Sequence, residues 1–166
     1  MTYPSEHYSE YWATELAGDP LDPGSFGENL TTRGFQDQEV FVGDTYRIGT
    51  SLVAVTVPRK PCIKLNSRHG RDDILRKYIE SKRTGFYLTV LEPGAVGAGD
   101  PITLVQRHLA RVRPRNVVDL YLGRSTDPQL LERTPNIELL TDRARRLLSE
   151  RFDHFTHHSE EEQHEF

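Results

Sequence analysis

The chain has 166 residues, 36% of them apolar, a single cysteine and a formal net charge of −4. That length supports one domain with a core of its own, and one cysteine excludes an internal disulfide framework. The negative charge argues against a nucleic-acid coat, and no apolar run approaches the roughly 20 residues of a membrane helix. With no basic-then-apolar leader pattern at the N-terminus, the chain is expected to be soluble and cytoplasmic, with neither a membrane nor a nucleic-acid polymer as partner.

TYPSEHYSEYWATELAG predicts a helix, with Pro4 in its first turn, Gly18 as its stop and Tyr8, Tyr11, Trp12 and Leu16 on one packed face. A Pro- and Gly-rich loop follows, and within it SFGENLTT reads as a tight glycine turn carrying Glu28 and Asn29. From Val40 the pattern turns to strands. VFVGDTYRIG and SLVAVTV flank a hairpin at Gly49, with Gly43-Asp44 as turn chemistry. A helix is expected over DDILRKYIESKRTG, with Ile74, Leu75, Tyr78 and Ile79 facing inward and Gly85 ending it. FYLTVL is a strand, and EPGAVGAGDPITLV a long turn into another, its Gly99-Asp100 echoing Gly43-Asp44. Short strands only occasionally interrupted by helix suggest a small, mostly antiparallel barrel.

After Pro114 the pattern becomes helical: NVVDLYLG, DPQLLERT and NIELLTDRARRLLSERFDHF, the last with Leu140, Ala144, Leu147, Leu148 and Phe155 along one side. The expected organisation is a β domain over 1–114, a helical extension over 115–156 and a disordered acidic tail over 157–166, whose last ten residues carry four glutamates. Arg143, Arg145, Arg146 and Arg151 read as a solvated face. His154, His157, His158 and His164 lack an ordered second shell and are not taken as a metal site.

The chemistry points to VPRKPCIKLNSR, Val57 to Arg68. Pro58 and Pro61 fix φ and lack an amide hydrogen, so the chain must leave its sheet there, with Cys62 just beyond. Arg59, Lys60, Lys64, Arg68 and Arg71 surround it with no acid before Asp72. Fixed positive charge favours the thiolate, the form that attacks electrophiles and binds soft metals. A buried, inert thiol is the ordinary alternative.

These pieces together resemble the MOSC domain family, named for the C-terminal domain of molybdenum-cofactor sulfurases, in its YiiM-like branch. Four stretches carry the likeness in order: YPSEHYSEYW, GSFGENLTT, VGDTYRIG into PRKPCIKL, and YLTVLEPGAVGAGDPITLV. The resemblance implies an α+β fold, mainly β with peripheral helices: a small β-barrel followed by the helical extension. It implies molybdenum cofactor (molybdopterin) as the ligand, with Cys62 as metal ligand or sulfur carrier. Arg59, Lys60, Lys64 and Arg68 would neutralise the pterin phosphate, and Glu28 and Asn29 would sit near pterin or substrate, with Glu28 and His69 candidate proton donors. The implied activity is reduction of small N-hydroxylated bases, with electrons from a redox partner protein. A non-catalytic sulfur or cofactor carrier, and an inactive truncated module, are the alternatives. Members of this branch carry further N-terminal strands and a His-Gly-Gly stretch, whereas here Met1 directly precedes the Tyr-Pro helix. The barrel is therefore expected to be open, with an unpaired edge offering a route to a homodimer.

Overall fold

Eight residues decide the centre of the fold. SLVAVTVP, Ser51–Pro58, carries apolar side chains at both odd and even positions, so it can only be a strand covered on both faces. In the computed structural model, which describes residues 1–16, 21–60, 62–125 and 127–150, it is a central strand with Val53, Ala54 and Val55 all buried.

The strands in chain order are β1 (Thr2–Pro4), β2 (Leu30–Thr32), β3 (Thr45–Ile48), β4 (Ser51–Pro58), β5 (Phe86–Glu92) and β6 (Ile102–Gln106). They form one curled sheet, a half-barrel, in the order β2-β1-β5-β4-β3-β6. The β1–β2 pair is parallel and the other pairs are antiparallel. Edge strands β2 and β6 do not pair with each other, and an open groove of 1000 Å³ lies between them, lined by Leu30, Phe35, Tyr46, Ile48 and Leu104 among others. The expected mainly-β fold with peripheral helices is what forms. The helices are α1 (Ala13–Glu15), α2 (Lys64–His69), α3 (Ile74–Ser81), α4 (Pro114–Tyr121) and α5 (Pro128–Arg133), with residues 142–150 also helical. No helix among the described residues is long and apolar enough to cross a membrane.

Several elements depart from the sequence expectation. The opening helix begins later: Thr2–Pro4 is strand, His7–Trp12 a π-helical turn, and only then does α1 follow. Pairing of Thr2 through Pro4 with Leu30 through Thr32 outcompetes a first helical turn, and Tyr3 is wholly buried. The expected helix stop, Gly18, lies outside the described residues. Val40, Phe41 and Val42 are not strand. Gly43-Asp44 is more than a turn, because the Asp44 carboxylate is fully buried and gathers four donors. Its Oδ2 accepts from the Phe41 amide (3.0 Å), the Tyr46 hydroxyl (3.3 Å) and Arg107 (3.1 Å), and its Oδ1 from the His108 amide (2.8 Å). Burial and the neighbouring carboxylate push the Tyr46 phenol up to about 12, so it stays a donor.

Helix α3 stops at Lys82, which adopts a left-handed φ of 56°, rather than at Gly85. Gly85 has a different task. At φ 61° it passes so close to β1 that a Cβ there would lie 2.5 Å from the Thr2 carbonyl oxygen. The inward set holds, with Ile74 and Tyr78 fully buried and Leu75 and Ile79 half-buried.

Three cores result. Tyr3, Tyr8, Trp12, Phe26, Leu65, Ile74 and Tyr78 make an aromatic one against α2 and α3. Val53, Val55, Tyr46, Phe35 and Phe86 fill the half-barrel. Val42 and Val112 share the third with Val117, Leu120, Leu131, Ile137, Leu140, Ala144 and Leu148, so the C-terminal helices pack directly on the sheet module. Arg145 is not on a solvated face: it is half-buried and donates to the Pro135, Ile137 and Glu138 carbonyls. Arg143 and Arg146 are exposed as expected. Phe155, Arg151, the four tail histidines and the acidic tail lie outside the described residues.

Candidate functional site

The glycine turn is where the expected site residues converge. Gly24 and Gly27 hold φ values of 92° and 76°, which side-chain-bearing residues rarely adopt, and the Gly27 amide closes back on the Gly24 carbonyl at 2.8 Å. Between them Phe26 is fully buried, packed on Tyr3, Trp12 and Tyr78 at ring distances of 4.9, 5.0 and 5.2 Å. Glu28 folds back over the turn. Its Oε1 accepts from the Gly24 amide (2.7 Å), the Tyr8 hydroxyl (2.5 Å) and the Thr31 hydroxyl (3.1 Å), while its Oε2 is buried without a partner. Burial, followed by the bond to Glu28, pushes the Tyr8 phenol well above its ordinary range, so it remains a donor. Asn29 is exposed, and its side chain accepts from the Met1 amine at 2.9 Å.

The basic stretch meets this turn from the other side. Arg59 donates to the Phe26 carbonyl and lies over the Tyr78 ring at 5.9 Å, and Arg68 donates to the Gly24 carbonyl at 3.0 Å. Two of the four expected phosphate-neutralising cations thus brace the turn that carries Glu28 and Asn29. Lys60 and Lys64 are exposed.

Residues 64–69 form helix α2, just after Cys62. Leu65, 2% exposed, inserts into the aromatic core, and the Asn66 side chain bonds the Leu75 amide and the Asp72 carbonyl, both at 2.7 Å. Those two anchors turn an otherwise polar segment into a helix and put His69 against Phe26, with ring centroids 5.4 Å apart. Burial first, then the charges of Arg68 and Arg59, hold the His69 imidazole below its ordinary pKa, against the pull of a backbone hydrogen bond at Ser25. Its Nε2 is buried without a partner.

Cys62 is exposed, at the mouth of α2, where its carbonyl accepts the Leu65 amide at 3.0 Å. The expected alternative of a buried thiol is therefore not what forms. Neighbouring Ile63 is 65% exposed, an apolar side chain held out beside the sulfur. Among the described residues no group of three or more His, Cys, Asp or Glu is placed to hold a bare metal ion, so Cys62 offers a soft metal a single ligand.

Sequence reasoning missed Tyr8 as the partner of Glu28, the Asp44 hub, and a buried His7–Asp37 pair at 2.8 Å. Gly43 before Asp44 was the one visible hint. Tyr8–Glu28 and His7–Asp37 join residues 20 and 30 positions apart and leave no local signature.

A curled sheet, an exposed cysteine and a cationic stretch whose arginines brace a Gly-Glu-Asn turn together define a MOSC-type domain. The MOSC domain model matches residues 1–103, and the chain belongs to that family. Crystal structures of YiiM from Geobacillus stearothermophilus and from Escherichia coli superpose with TM-scores of 0.84 and 0.81. Both are 32% identical, each covering 91% of this chain, which in turn covers 76% and 75% of theirs. Protein YiiM of Escherichia coli K12 is 39% identical over 107 residues, and the uncharacterised YflK of Bacillus subtilis 40% over 105, each match covering 63% of this chain. These likenesses put the chain in the YiiM-like branch. A protein named Reductase from Gibberella moniliformis is 34% identical over 152 residues, 88% of this chain and 27% of its own. The chain spans about half the length of YiiM and YflK, 47% in each case.

Proposed function

We infer that the protein binds molybdenum cofactor through Cys62 and reduces N-hydroxylated bases or related small N-hydroxylated molecules. The observation that carries this reading is the exposed Cys62 sulfur in a cationic stretch whose Arg59 and Arg68 reach the turn of Gly24–Asn29. The residues present fit such a group. A soft thiolate suits a metal that arrives with sulfur ligands of its own, and then one protein ligand suffices. Lys60 and Lys64 are exposed and available to an anionic phosphate. The buried, unpartnered Glu28 Oε2 and His69 Nε2 are the polar atoms a ligand at this turn would satisfy.

When bound, the cofactor supplies the electron pair that cleaves the N–O bond, the pair being replenished by a redox partner protein. Overall R–NH–OH, two electrons and two protons give R–NH₂ and water. Arg59 and Arg68 keep the turn rigid, so that Glu28 and Asn29 are presented at constant positions. His69 is held toward its neutral form, which suits it to relay a proton rather than to store one. The fungal relative's name, Reductase, supports the redox assignment.

Molybdenum analysis of freshly purified protein and of Cys62→Ala tests the reading. The wild type should carry the metal, and the variant should lose most of it, together with N-hydroxy reductase activity. Equal molybdenum in both removes Cys62 from the role of ligand. The open setting of Cys62 and Ile63 favours one second reading, a carrier that holds sulfur as a persulfide on Cys62. Persulfide on Cys62 with no reductase activity, cofactor and an electron donor being supplied, selects it.

A further inference from the structure

A second cleft, of 380 Å³, lies where β4 leaves the sheet and the C-terminal helices cross it. It shares no lining residue with the half-barrel groove, and of the basic residues in the stretch next to the Gly24–Asn29 turn it meets only Arg59 and Lys60. Leu122 and Leu147 contribute aliphatic wall, and the Tyr87 and Tyr121 rings border it. Tyr87 is 42% exposed and Leu122 37%, so apolar surface is left open at the mouth. Burial pushes the Tyr121 phenol up to about 12, which keeps it neutral.

The charges are one-sided. Lys60 arrives from the strand exit and Arg143 from the helix of residues 142–150, and no carboxylate is among the described residues lining the cleft. Among the described residues neither cation has an acidic partner. Arg59, also at the edge, has its guanidinium turned to the Phe26 carbonyl. Two cations from separate parts of the chain, facing one apolar slot, make a complementary surface for an anion with a flat hydrocarbon body. The volume sits at the lower end of the roughly 300–1,000 Å³ usual for small-ligand pockets, and a seam between packed modules is a favoured place for one.

We propose that this cleft binds a small planar aromatic carboxylate, its ring between Tyr87, Tyr121 and the leucines and its carboxylate between Lys60 and Arg143. Lys60 is the one residue this site would share with the proposed cofactor site, and naphthoate binding is read directly rather than through reductase activity, so its failure and the failure of the reductase reading are separate outcomes.

Calorimetric titration of the full chain with 2-naphthoate and with its neutral amide, 2-naphthamide, tests it. Naphthoate should saturate one site and bind about tenfold more tightly than the amide, the ratio a single charge-assisted contact supports. Arg143→Ala should reduce that preference several-fold while leaving the amide's affinity unchanged, Lys60 keeping the remainder. Leu122→Trp, an exposed substitution at the mouth, should weaken both ligands. Native thermal melts of both variants establish that they are folded. Absence of saturable naphthoate binding overturns the proposal. So does binding undisturbed by both variants, which would place the ligand elsewhere, the half-barrel groove included.

Discussion

Asp44→Asn is the sharpest test of how the half-barrel is held. All the groups facing this fully buried carboxylate are donors: the Phe41 and His108 amides, the Tyr46 hydroxyl and Arg107. Asparagine has nearly the same shape but must aim its NH₂ at one side of that ring. Keeping its oxygen at the Oδ2 position preserves three contacts and sets two donors against each other at the His108 amide, now 2.8 Å from an acceptor. One frustrated amide costs about 1–3 kcal/mol, and loss of the charge opposite Arg107 adds to it, for an expected total of about 2–4 kcal/mol. Asp44→Ala strands every donor at once and opens a void, so about 3–5 kcal/mol is expected. Urea unfolding followed by fluorescence of Trp12, the single tryptophan and wholly buried, measures both. The order should be wild type, then Asn, then Ala. An Asn variant as stable as wild type would refute the donor-ring reasoning, because no hydrogen-bond arrangement of asparagine satisfies four donors.

Two further outcomes follow from the same geometry. Gly85→Ala combines a φ of 61° with a Cβ 2.5 Å from the Thr2 carbonyl, so it should cost about 1–3 kcal/mol and loosen β1 from β5, seen as faster amide exchange at Thr2 and Tyr3. His69 has a folded pKa below its ordinary 6.5, so the unfolded chain binds more protons as pH falls through that value. Stability should therefore be fully present above the ordinary pKa and decline below it. His69→Gln should flatten that part of the pH profile, and an unchanged slope would show that His69 is not the group responsible.

What can be read without coordinates here is what depends on near neighbours in the chain. The β-branched run of Ser51–Pro58 is buried on both faces because its own composition leaves no polar side. Pro58, with no amide hydrogen to give to a ladder, is the last residue of β4, and Cys62 beyond it is exposed. The four quoted stretches also carried the family likeness that the MOSC match over residues 1–103 confirms.

Everything that joins distant residues was decided by packing. Lys64–His69 becomes helix because Leu65 and Asn66 find partners in the aromatic core and α3, not because KLNSRH prefers helix. Arg59 and Arg68, alike in charge to Lys60 and Lys64, are turned to the Phe26 and Gly24 carbonyls, a task visible only once residues 33 and 44 positions apart are adjacent. The first strand replaces a helical turn for the same reason, its hydrogen bonds going to Leu30–Thr32 rather than within itself. Local sequence sets what a segment can be, and long-range burial and hydrogen bonding select which of those options is occupied.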